Sequence, residues 1–387
     1  MHSRSELDLA AIRADFPRTR HAVYLDHASS HPVSVHTAAA LHRYADWLLH
    51  DVGEPWWPAW AGPRDRSRHL FAELIHASPQ EVAYARSTVE SESNLLNGMA
   101  EFLGDGNVVT HDLHYAPSLY NYEVRRKNGL DVRIARHRDW RYDVDELARH
   151  VDRQTRLVAI SLVSNVNGAV ADVRAISQVA HDHGALLYAD IIQAAGAVPI
   201  DVKDMGIDLA ACSTFKWLMG VKGFGFLYVR ADLQGQVVRP SQPSGGVQFN
   251  YQPWTAAADP HLPAISWNPT AGPAQYEVSY PSYEGLLSSQ ESLAYILRLG
   301  VPGIRAHVRS LTDRLQQELP ALGYTSITPP SQDSPICAFT SPDPTATLER
   351  TRRAGIHVAM RFGNKLRLSP SVYNDHDDID RLLAALR

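Results

Sequence analysis

Between residues 81 and 230 the sequence alternates short apolar runs with longer amphipathic stretches. The apolar runs predict strands at 81–87, 107–111, 131–135, 155–163, 185–190, 209–213 and 225–229. The amphipathic stretches between them predict helices at 90–103, 117–128, 143–151 and 172–183. Strands this apolar, separated by helices, indicate a mainly parallel sheet that is covered on both faces, which is an α/β fold.

The length of the chain indicates more than one domain. Its 387 residues exceed the usual size of one compact domain, so we expect a large domain and a small one. The α/β pattern assigns residues 20–285 to the large domain. Residues 286–387 contain a helical stretch at 288–319, short strands and a closing helix, and with the N-terminal arm 1–19 they predict a small α+β domain. Residues 240–285, rich in Pro, Gly, Ser, Gln and Trp, predict a long functional or interface loop.

Composition excludes several classes of protein. The net charge of −5 comes with no basic tract, so we expect no nucleic-acid partner. The apolar runs are shorter than the roughly 18–20 residues of a membrane span, and the N-terminal segment lacks the apolar core of a secretory signal. With two cysteines the chain has no disulfide scaffold, and we expect a cytoplasmic protein. The histidine pairs at 111–114 and 181–183 occur among 19 histidines, and we expect no metal site.

Two polar residues follow predicted strands, where parallel sheets bind ligands. Asp190 ends one strand, and Lys216 follows another 26 residues later. A lysine amine can hold pyridoxal 5′-phosphate (PLP) as a Schiff base and can then remove and return the α-proton of an amino acid. A carboxylate beside the pyridine nitrogen keeps that nitrogen protonated, so that the ring can accept electrons. Gln193 is placed to reach the phenolic oxygen of PLP.

The order and spacing of Asp190, Gln193, Ser213 and Lys216 resemble the class V aminotransferase family of fold-type I PLP enzymes. In that family a D-x-x-Q strand end precedes an S-x-x-K loop, and the K-W-L-x-G-x-x-G-x-G-F-L-Y-V continuation is also similar. The family includes cysteine desulfurases, isopenicillin N epimerase-like proteins and serine–pyruvate-type aminotransferases. The resemblance implies a PLP-transferase fold of type I, with a mainly parallel seven-stranded sheet, a smaller α+β C-terminal domain and a homodimer. It also implies that Ser213 contacts the cofactor.

The resemblance extends to the N-terminal half of the chain. In YLDHASSHPVS the backbone near Ala28 and Ser29 is expected to approach the substrate. In RSTVESESN a turn enters a helix, and the resemblance implies that Ser87, Thr88 and Val89 bind the PLP phosphate at the N-terminus of that helix.

Three further segments resemble site segments of the family. THDLHYAPS resembles the one that supplies the ring stacked on PLP, which is Tyr115 when the alignment rests on Asp112 and His114 after a slip of one residue. SLVSNVNG places Asn165 near cofactor and substrate. KLRLSPSVYN resembles the R-x-S segment, which implies that Arg367 binds the substrate carboxylate in a bidentate geometry.

Several positions depart from the family pattern. Cysteine desulfurases carry a nucleophilic cysteine shortly before this arginine, but the interval here is GIHVAMRFGN, and Cys337 lies earlier, in the apolar run PICAF. Phe215 precedes the lysine where desulfurases tend to have histidine. Persulfide chemistry is therefore not expected. In EGLLSS, Leu286 replaces the hydroxyl that reaches the phosphate of the neighbouring subunit, which leaves that contact open.

The sequence thus predicts a PLP-dependent enzyme that acts on an α-amino acid through an external aldimine and a quinonoid. Aminotransferase or lyase chemistry in specialised metabolism is favoured, with a bulky substrate suggested by the aromatic segments 52–62 and 249–283. Epimerisation and decarboxylation-coupled oxidative deamination stay open as alternatives. A non-enzymatic binding protein of this fold would be expected to lack Lys216 or Asp190, and both are present.

Overall fold

The structure, a computed structural model, describes residues 7–50, 56–241, 247–249, 267–269, 271–279, 281–330 and 332–387. Its strands in chain order are β1 (Val23–Tyr24), β2 (Val82–Ala85), β3 (Asn107–His111), β4 (Asp131–Ala135), β5 (Thr155–Ser161), β6 (Leu186–Asp190), β7 (Leu209–Ser213), β8 (Gly225–Val229), β9 (Val247–Phe249), β10 (Trp267–Pro269), β11 (Thr325–Ser326), β12 (Cys337–Thr340), β13 (Ile356–His357), β14 (Ala359–Arg361) and β15 (Lys365–Leu368). Its α-helices are α1 (Leu9–Asp15), α2 (Val35–His50), α3 (Trp56–Leu74), α4 (Thr88–Gly98), α5 (Ala100–Leu103), α6 (Ala116–Lys127), α7 (Val144–Ala148), α8 (Val173–Asp182), α9 (Tyr283–Leu299), α10 (Val301–Glu318), α11 (Pro344–Arg353) and α12 (His376–Leu386).

A seven-stranded sheet forms the centre of the fold, in the order β2–β8–β7–β6–β5–β3–β4. The strands from β3 to β7 are parallel, and β8 runs antiparallel to its neighbours β7 and β2. The predicted mainly parallel seven-stranded sheet is therefore confirmed. The strands predicted at 107–111, 131–135, 209–213 and 225–229 have the observed bounds, and the others differ by one or two residues at one or both ends.

Both faces of this sheet are apolar because successive side chains of a strand point to opposite faces and helices cover each of them. In β3, Val109 packs in one buried cluster and Val108 in the other. In β6, Leu187 belongs to the first cluster and Tyr188 to the second. Every residue of β6 and β7 is buried. The polar groups at the ends of these strands are consequently held by a rigid layer.

A second sheet lies in the C-terminal part of the chain, with antiparallel strands in the order β11–β12–β15–β14. Its apolar residues form a separate buried cluster with side chains of α10 and α12. β1 pairs with β13 and brings Val23 into the same cluster. Leu286 of α9 and Phe16 after α1 pack instead with the cluster of the large sheet. The division into domains at residue 285 stays a prediction.

Residues 288–319 were predicted as one helical stretch, and the structure divides them into α9 and α10. Gly300 separates the two helices with φ of +78°, a left-handed value that favours glycine, and Pro302 then occupies the first turn of α10. Of the aromatic segment 52–62, residues 56–62 are described and begin α3. About half of the predicted loop 240–285, which includes the aromatic segment 249–283, lies outside the described residues. Within it, β9 and β10 pair in antiparallel orientation. The described helices include none that is long and apolar enough to cross a membrane.

Candidate active site

Lys216 lies on the loop 214–224, which joins the antiparallel neighbours β7 and β8 at the edge of the sheet where the parallel strands end. Hydrogen bonds close the base of this loop: the Thr214 N–H donates to the Phe224 carbonyl at 3.0 Å and its hydroxyl to the Val221 carbonyl at 2.7 Å. Gly220 packs so tightly on Thr214 that an added Cβ would lie 2.7 Å from the threonine Cβ. The backbone that carries the lysine is therefore fixed by local contacts.

The side chain of Lys216 is 7% exposed. Its Nζ lies 5.6 Å from the centre of the Tyr115 ring and 5.7 Å from that of Phe215. Burial lowers the pKa of this amine to about 8, although the negative charge of Asp190 works in the opposite direction. About a tenth of the amine is consequently unprotonated at pH 7, and a nucleophile towards an aldehyde or a base towards an acidic C–H must be unprotonated.

Asp190 ends β6 and is 2% exposed. Its Oδ1 accepts a hydrogen bond from the Ile192 N–H at 2.9 Å. Burial raises the pKa of Asp190 to about 6, and the positive charge of a protonated His114 is the largest effect that opposes this rise. The group is thus an ionised carboxylate above about pH 6, enclosed in protein.

Gln193 connects this region to the N-terminal segment. Its Nε2 donates to the Ala28 carbonyl at 3.0 Å, and its Oε1 accepts from Trp217 Nε1 at 2.8 Å. Because a primary amide carries two N–H groups, one donor is left for another acceptor. The predicted contact with a cofactor oxygen uses this remaining donor and stays a proposal.

The N-terminus of α4 lies beside the end of β7. The Thr88 N–H donates to Ser213 Oγ at 2.9 Å, and the Ser213 N–H donates to Thr88 Oγ1 at 3.0 Å. Ser87 caps the helix, because its Oγ accepts from the Glu90 N–H at 3.2 Å. Within the described part of the chain no hydrogen bond uses the N–H of Val89. This helix end carries a partial positive charge and can hold a phosphate.

Tyr115 and His114, the alternative candidates for the stacking ring, lie in different surroundings. The Tyr115 ring faces the amine of Lys216. His114 is fully buried, with Nδ1 2.8 Å from Ser161 Oγ and Nε2 3.2 Å from Glu92 Oε1. The geometry therefore favours Tyr115 for the stacking role, which stays a proposal.

Arg367 lies on β15 and is 3% exposed. One of its terminal nitrogens, Nη1, donates to the Asn165 carbonyl at 2.9 Å. The other, Nη2, donates to Ser29 Oγ at 2.6 Å and to Asp26 Oδ1 at 3.1 Å. Arg367 Nε and Asn165 Oδ1 are both buried without a hydrogen-bond partner in the described part of the chain. Buried polar atoms without partners are rare, and these two are available to a ligand.

The sequence did not single out Asp26 or Arg361 as site residues. Arg361 Nη2 donates to Ser29 Oγ at 2.5 Å, so two guanidinium groups converge on one hydroxyl. Ser29 in turn donates to Asp26 Oδ1 at 2.8 Å. Arg361 reaches the site because its strand β14 pairs with β15, the strand of Arg367. The sequence alone did not indicate this pairing.

Two further positions at which the sequence departs from the family pattern, the missing active-site cysteine and Leu286, involve buried residues. Cys212 and Cys337, the two cysteines of the chain, are both buried, and burial raises the pKa of each thiol. Leu286 is also fully buried, which removes it as a contact for another subunit. Among the described residues no group of three or more His, Cys, Asp or Glu side chains could hold a metal ion.

The residues at this edge of the sheet fit PLP. A buried amine and a buried carboxylate lie at neighbouring strand ends, a helix N-terminus provides an anion site, and buried donors and acceptors without partners lie near a cationic carboxylate site. When bound, PLP accepts the electrons of the Cα–H bond, which makes that proton acidic. Lys216, Asp190, Gln193 and the start of α4 at Thr88 would hold it.

The Aminotransferase class-V family model matches residues 63–382 of the chain. A probable cysteine desulfurase of Methanothermobacter thermautotrophicus is 29% identical over 308 residues, which cover 79% of this chain and 74% of that protein. A probable cysteine desulfurase 2 of Mycobacterium leprae is 28% identical over 428 residues, covering 99% of this chain and 97% of that protein.

Solved structures share the fold over nearly the whole chain. An apo cysteine desulfurase from Thermococcus onnurineus NA1 has a TM-score of 0.88 at 21% identity, covering 100% of this chain and 98% of that one. The cystine C–S lyase C-DES, in complex with its reaction product cysteine persulfide, has a TM-score of 0.82 at 18% identity, covering 96% of this chain and 98% of that one. The predicted PLP-transferase fold is confirmed by these similarities.

Proposed function

Since the chain belongs to the class V aminotransferase family, with PLP as its cofactor and an amino acid as its substrate, we propose that it is a lyase that eliminates a substituent from the β-carbon. The observation that carries this choice is the combination of a buried, partly unprotonated Lys216 amine with two cysteine thiols that are both buried. The lysine supplies a base for the α-proton, while neither thiol is accessible to accept sulfur from a substrate.

The residues divide the work between binding and proton transfer. Arg367, whose Nε–H has no partner in the described part of the chain, binds the α-carboxylate of the substrate beside the backbone at Ala28 and Ser29 and orients the Cα–H bond towards Lys216. Nζ of Lys216 then takes the α-proton, and the β-substituent leaves with the electron pair of its bond. The protonated lysine can return a proton to the departing group. Asp190 keeps the pyridine nitrogen protonated throughout, and the N-terminus of α4 holds the phosphate.

Lyase chemistry is also consistent with the structural relatives. Several curated relatives are named cysteine desulfurases, one from Bacillus subtilis is named an uncharacterized aminotransferase, and the solved C-DES is a cystine C–S lyase. A lyase needs an α-proton base and a leaving group but no thiol of its own, and this matches the side chains at the site. We expect a substrate with a good β-leaving group, such as a disulfide, an O-acyl group or a halide, in specialised metabolism.

Product stoichiometry tests the proposal. The purified enzyme loaded with PLP should convert cystine, O-acetylserine or β-chloroalanine into a 2-oxo acid and ammonia in a 1:1 ratio, without any added 2-oxo acid. Oxo-acid formation that depends on an added 2-oxo acid acceptor and releases no ammonia would identify an aminotransferase instead. With cysteine and an added reducing thiol, formation of alanine and sulfide would indicate a desulfurase. Loss of α-deuterium without net reaction would indicate an epimerase, and consumption of oxygen with release of CO2 an oxidative deaminase.

We also propose that the enzyme is a homodimer that works in the cytoplasm. The two free, buried cysteines are compatible with a reducing compartment, and family resemblance supports the dimer. Light scattering coupled to gel filtration should give twice the mass of one chain. A monomer at micromolar concentration would contradict this part of the proposal.

A further inference from the structure

Glu92 is a buried acid that the reaction above does not use. It lies on α4 and is 1% exposed. Its Oε1 accepts a hydrogen bond from the Tyr122 hydroxyl at 2.7 Å and faces Nε2 of His114 at 3.2 Å. Its Oε2 has no partner in the described part of the chain, and neither has the buried hydroxyl of Tyr188. A carboxylate in such a place is costly unless a cation compensates it.

His114 connects this acid to the pyridine end of the active site. Its Nδ1 lies 2.8 Å from Ser161 Oγ. Ser161 on β5 is the register neighbour of Asp190 on β6, and the charges of His114 and Glu92 both act on Asp190. Because a carboxylate only accepts hydrogen bonds, the Nε2 that faces Glu92 must carry a proton. Nδ1 can carry a second proton, since a serine hydroxyl also accepts.

Charge balance favours the doubly protonated ring. Glu92 and Asp190 are both buried, and a single imidazolium that interacts with both lowers the electrostatic cost of each. The tyrosines around the pair stay neutral, because burial raises the pKa of Tyr122 and Tyr188 well above the usual value. Among the described residues, the other titratable or charged groups that interact with the members of this cluster are His111 of β3, Arg125 of α6, Tyr142 before α7, Cys212 of β7 and Lys216 of the loop after β7.

We propose that Glu92 keeps His114 protonated and that this imidazolium in turn keeps Asp190 ionised as the partner of the pyridine nitrogen of PLP. Glu92 and His114 are thus positioning residues that act through Asp190, and the inference rests on PLP being the cofactor. These two residues set the charge beside the pyridine nitrogen without touching the substrate.

The direction in which PLP affinity changes in one variant, with an uncharged side chain of the same shape at position 92, tests this proposal. Glu92→Gln keeps the shape and an acceptor for Tyr122 and removes one negative charge. Taken alone, the loss of a nearby negative charge would make Asp190 easier to ionise. The proposal requires that Asp190 becomes harder to ionise. Without Glu92 the His114 ring loses its second proton, and Asp190 then loses the positive charge of His114, which acts on it more strongly than the charge of Glu92 does. We therefore expect PLP to bind at least about tenfold more weakly, the scale of one lost charged interaction.

Two measurements separate this role from packing. With PLP labelled with 15N in the ring, the chemical shift reports whether the pyridine nitrogen is protonated, and at pH 8 it should shift towards the unprotonated value in Glu92→Gln. The kcat should fall with a substrate KM within about twofold of wild type, because the carboxylate-binding residues are unchanged. Tyr122→Phe, which removes another donor to the same Oε1, is the matched control and should keep the wild-type nitrogen shift.

Unchanged or tighter PLP binding with an unchanged nitrogen shift in Glu92→Gln would overturn the inference. If that variant does not fold, 15N spectra of the histidines in the wild-type holoenzyme decide the matter: both ring nitrogens of His114 must be protonated at pH 8, and a neutral ring overturns the inference. A wild-type protein that binds no PLP would defeat the proposed function itself, a different result from a Glu92→Gln variant that behaves like wild type.

Discussion

The two ends of the candidate site are built differently. At the nitrogen end, Asp190, His114 and Glu92 are buried between the central sheet and its helices. At the carboxylate end, Arg367 is buried but Arg361 is 45% exposed, and both arginines bind Ser29. The first end is part of a packed core, and the second is assembled at an opening to solvent. This difference suggests that the nitrogen end sets the chemistry, which stays constant, while the carboxylate end selects the substrate.

The largest effect is expected at the residue between the two ends. Lys216→Ala should abolish covalent attachment of PLP and reduce turnover by about a thousandfold or more, because it removes both the anchor and the general base. Visible absorbance and its loss on borohydride treatment measure the attachment. Lys222→Ala is the control, since its exposed amine lies 5.8 Å from the Phe215 ring on the same loop. Equal losses in both variants would contradict the assignment.

The two arginines should differ in importance. Arg367→Ala is expected to lower kcat/KM by about a hundredfold or more, because a buried, charge-assisted contact to the substrate carboxylate is lost. Arg361→Ala should cost only several-fold, and the effect should shrink at high salt, since exposed ion pairs are weak and screened. Steady-state kinetics at two ionic strengths measure both. An Arg361 variant as impaired as the Arg367 variant would mean that the mouth of the site also binds the reacting carboxylate.

The nitrogen end should show a conflict between stability and function. Burial raises the pKa of Asp190 from 3.8 to about 6, so the folded apoenzyme binds this proton more tightly than the unfolded chain does. Its contribution to stability therefore falls as the pH rises from about 4 to about 6 and stays lower above that range. At pH 8 the ionised Asp190 therefore lowers the free energy of unfolding of the apoenzyme by about 3 kcal/mol.

Replacement of this aspartate tests the conflict. Asp190→Asn should raise the free energy of unfolding of the apoenzyme at pH 8 by up to about 3 kcal/mol, and it should raise it little at pH 4, while PLP binding weakens. Urea denaturation at the two pH values measures the difference. Destabilisation at pH 8 would show that His114 and the other neighbouring groups compensate the carboxylate fully in the apoenzyme.

The smallest effect concerns the rate at which PLP attaches. Because burial lowers the pKa of Lys216 to about 8, the rate of attachment to the apoenzyme should rise about tenfold per pH unit below 8 and level off above it. An ordinary lysine would continue to gain rate up to about pH 10. Stopped-flow absorbance at several pH values gives the profile. A rate that still rises between pH 9 and 10 would place the amine in a wetter environment than the structure does.

Asp190 at the nitrogen end and Lys216 between the two ends could be predicted from the sequence, because both lie in local motifs. Strand periodicity located the ends of β6 and β7, and spacing then identified Asp190 and Lys216. The break at Gly300 also had a local signal, the glycine and proline at 300–302, which the apolar periodicity on both sides obscured.

The contacts that the sequence did not predict join residues far apart in the chain. Glu92 on α4 meets His114 on the turn between β3 and α6, and Asp26 meets Arg367 across 341 positions. Thr88 was predicted to bind the phosphate and Ser213 to contact the cofactor, but their mutual hydrogen bonds depend on how α4 docks on β7. Such pairings follow from helix and sheet packing, which local patterns do not specify.

The loop that carries Lys216 has a consequence for the order in which the enzyme loses structure. It closes a hairpin between neighbouring strands, so its contacts are short-range and form at a small entropic cost of loop closure. Arg367 keeps its place through partners 202 and 341 positions away. In moderate denaturant the long-range contacts should be lost first. A partly unfolded population would then remain yellow, with its cofactor still attached, after it has stopped turning over substrate.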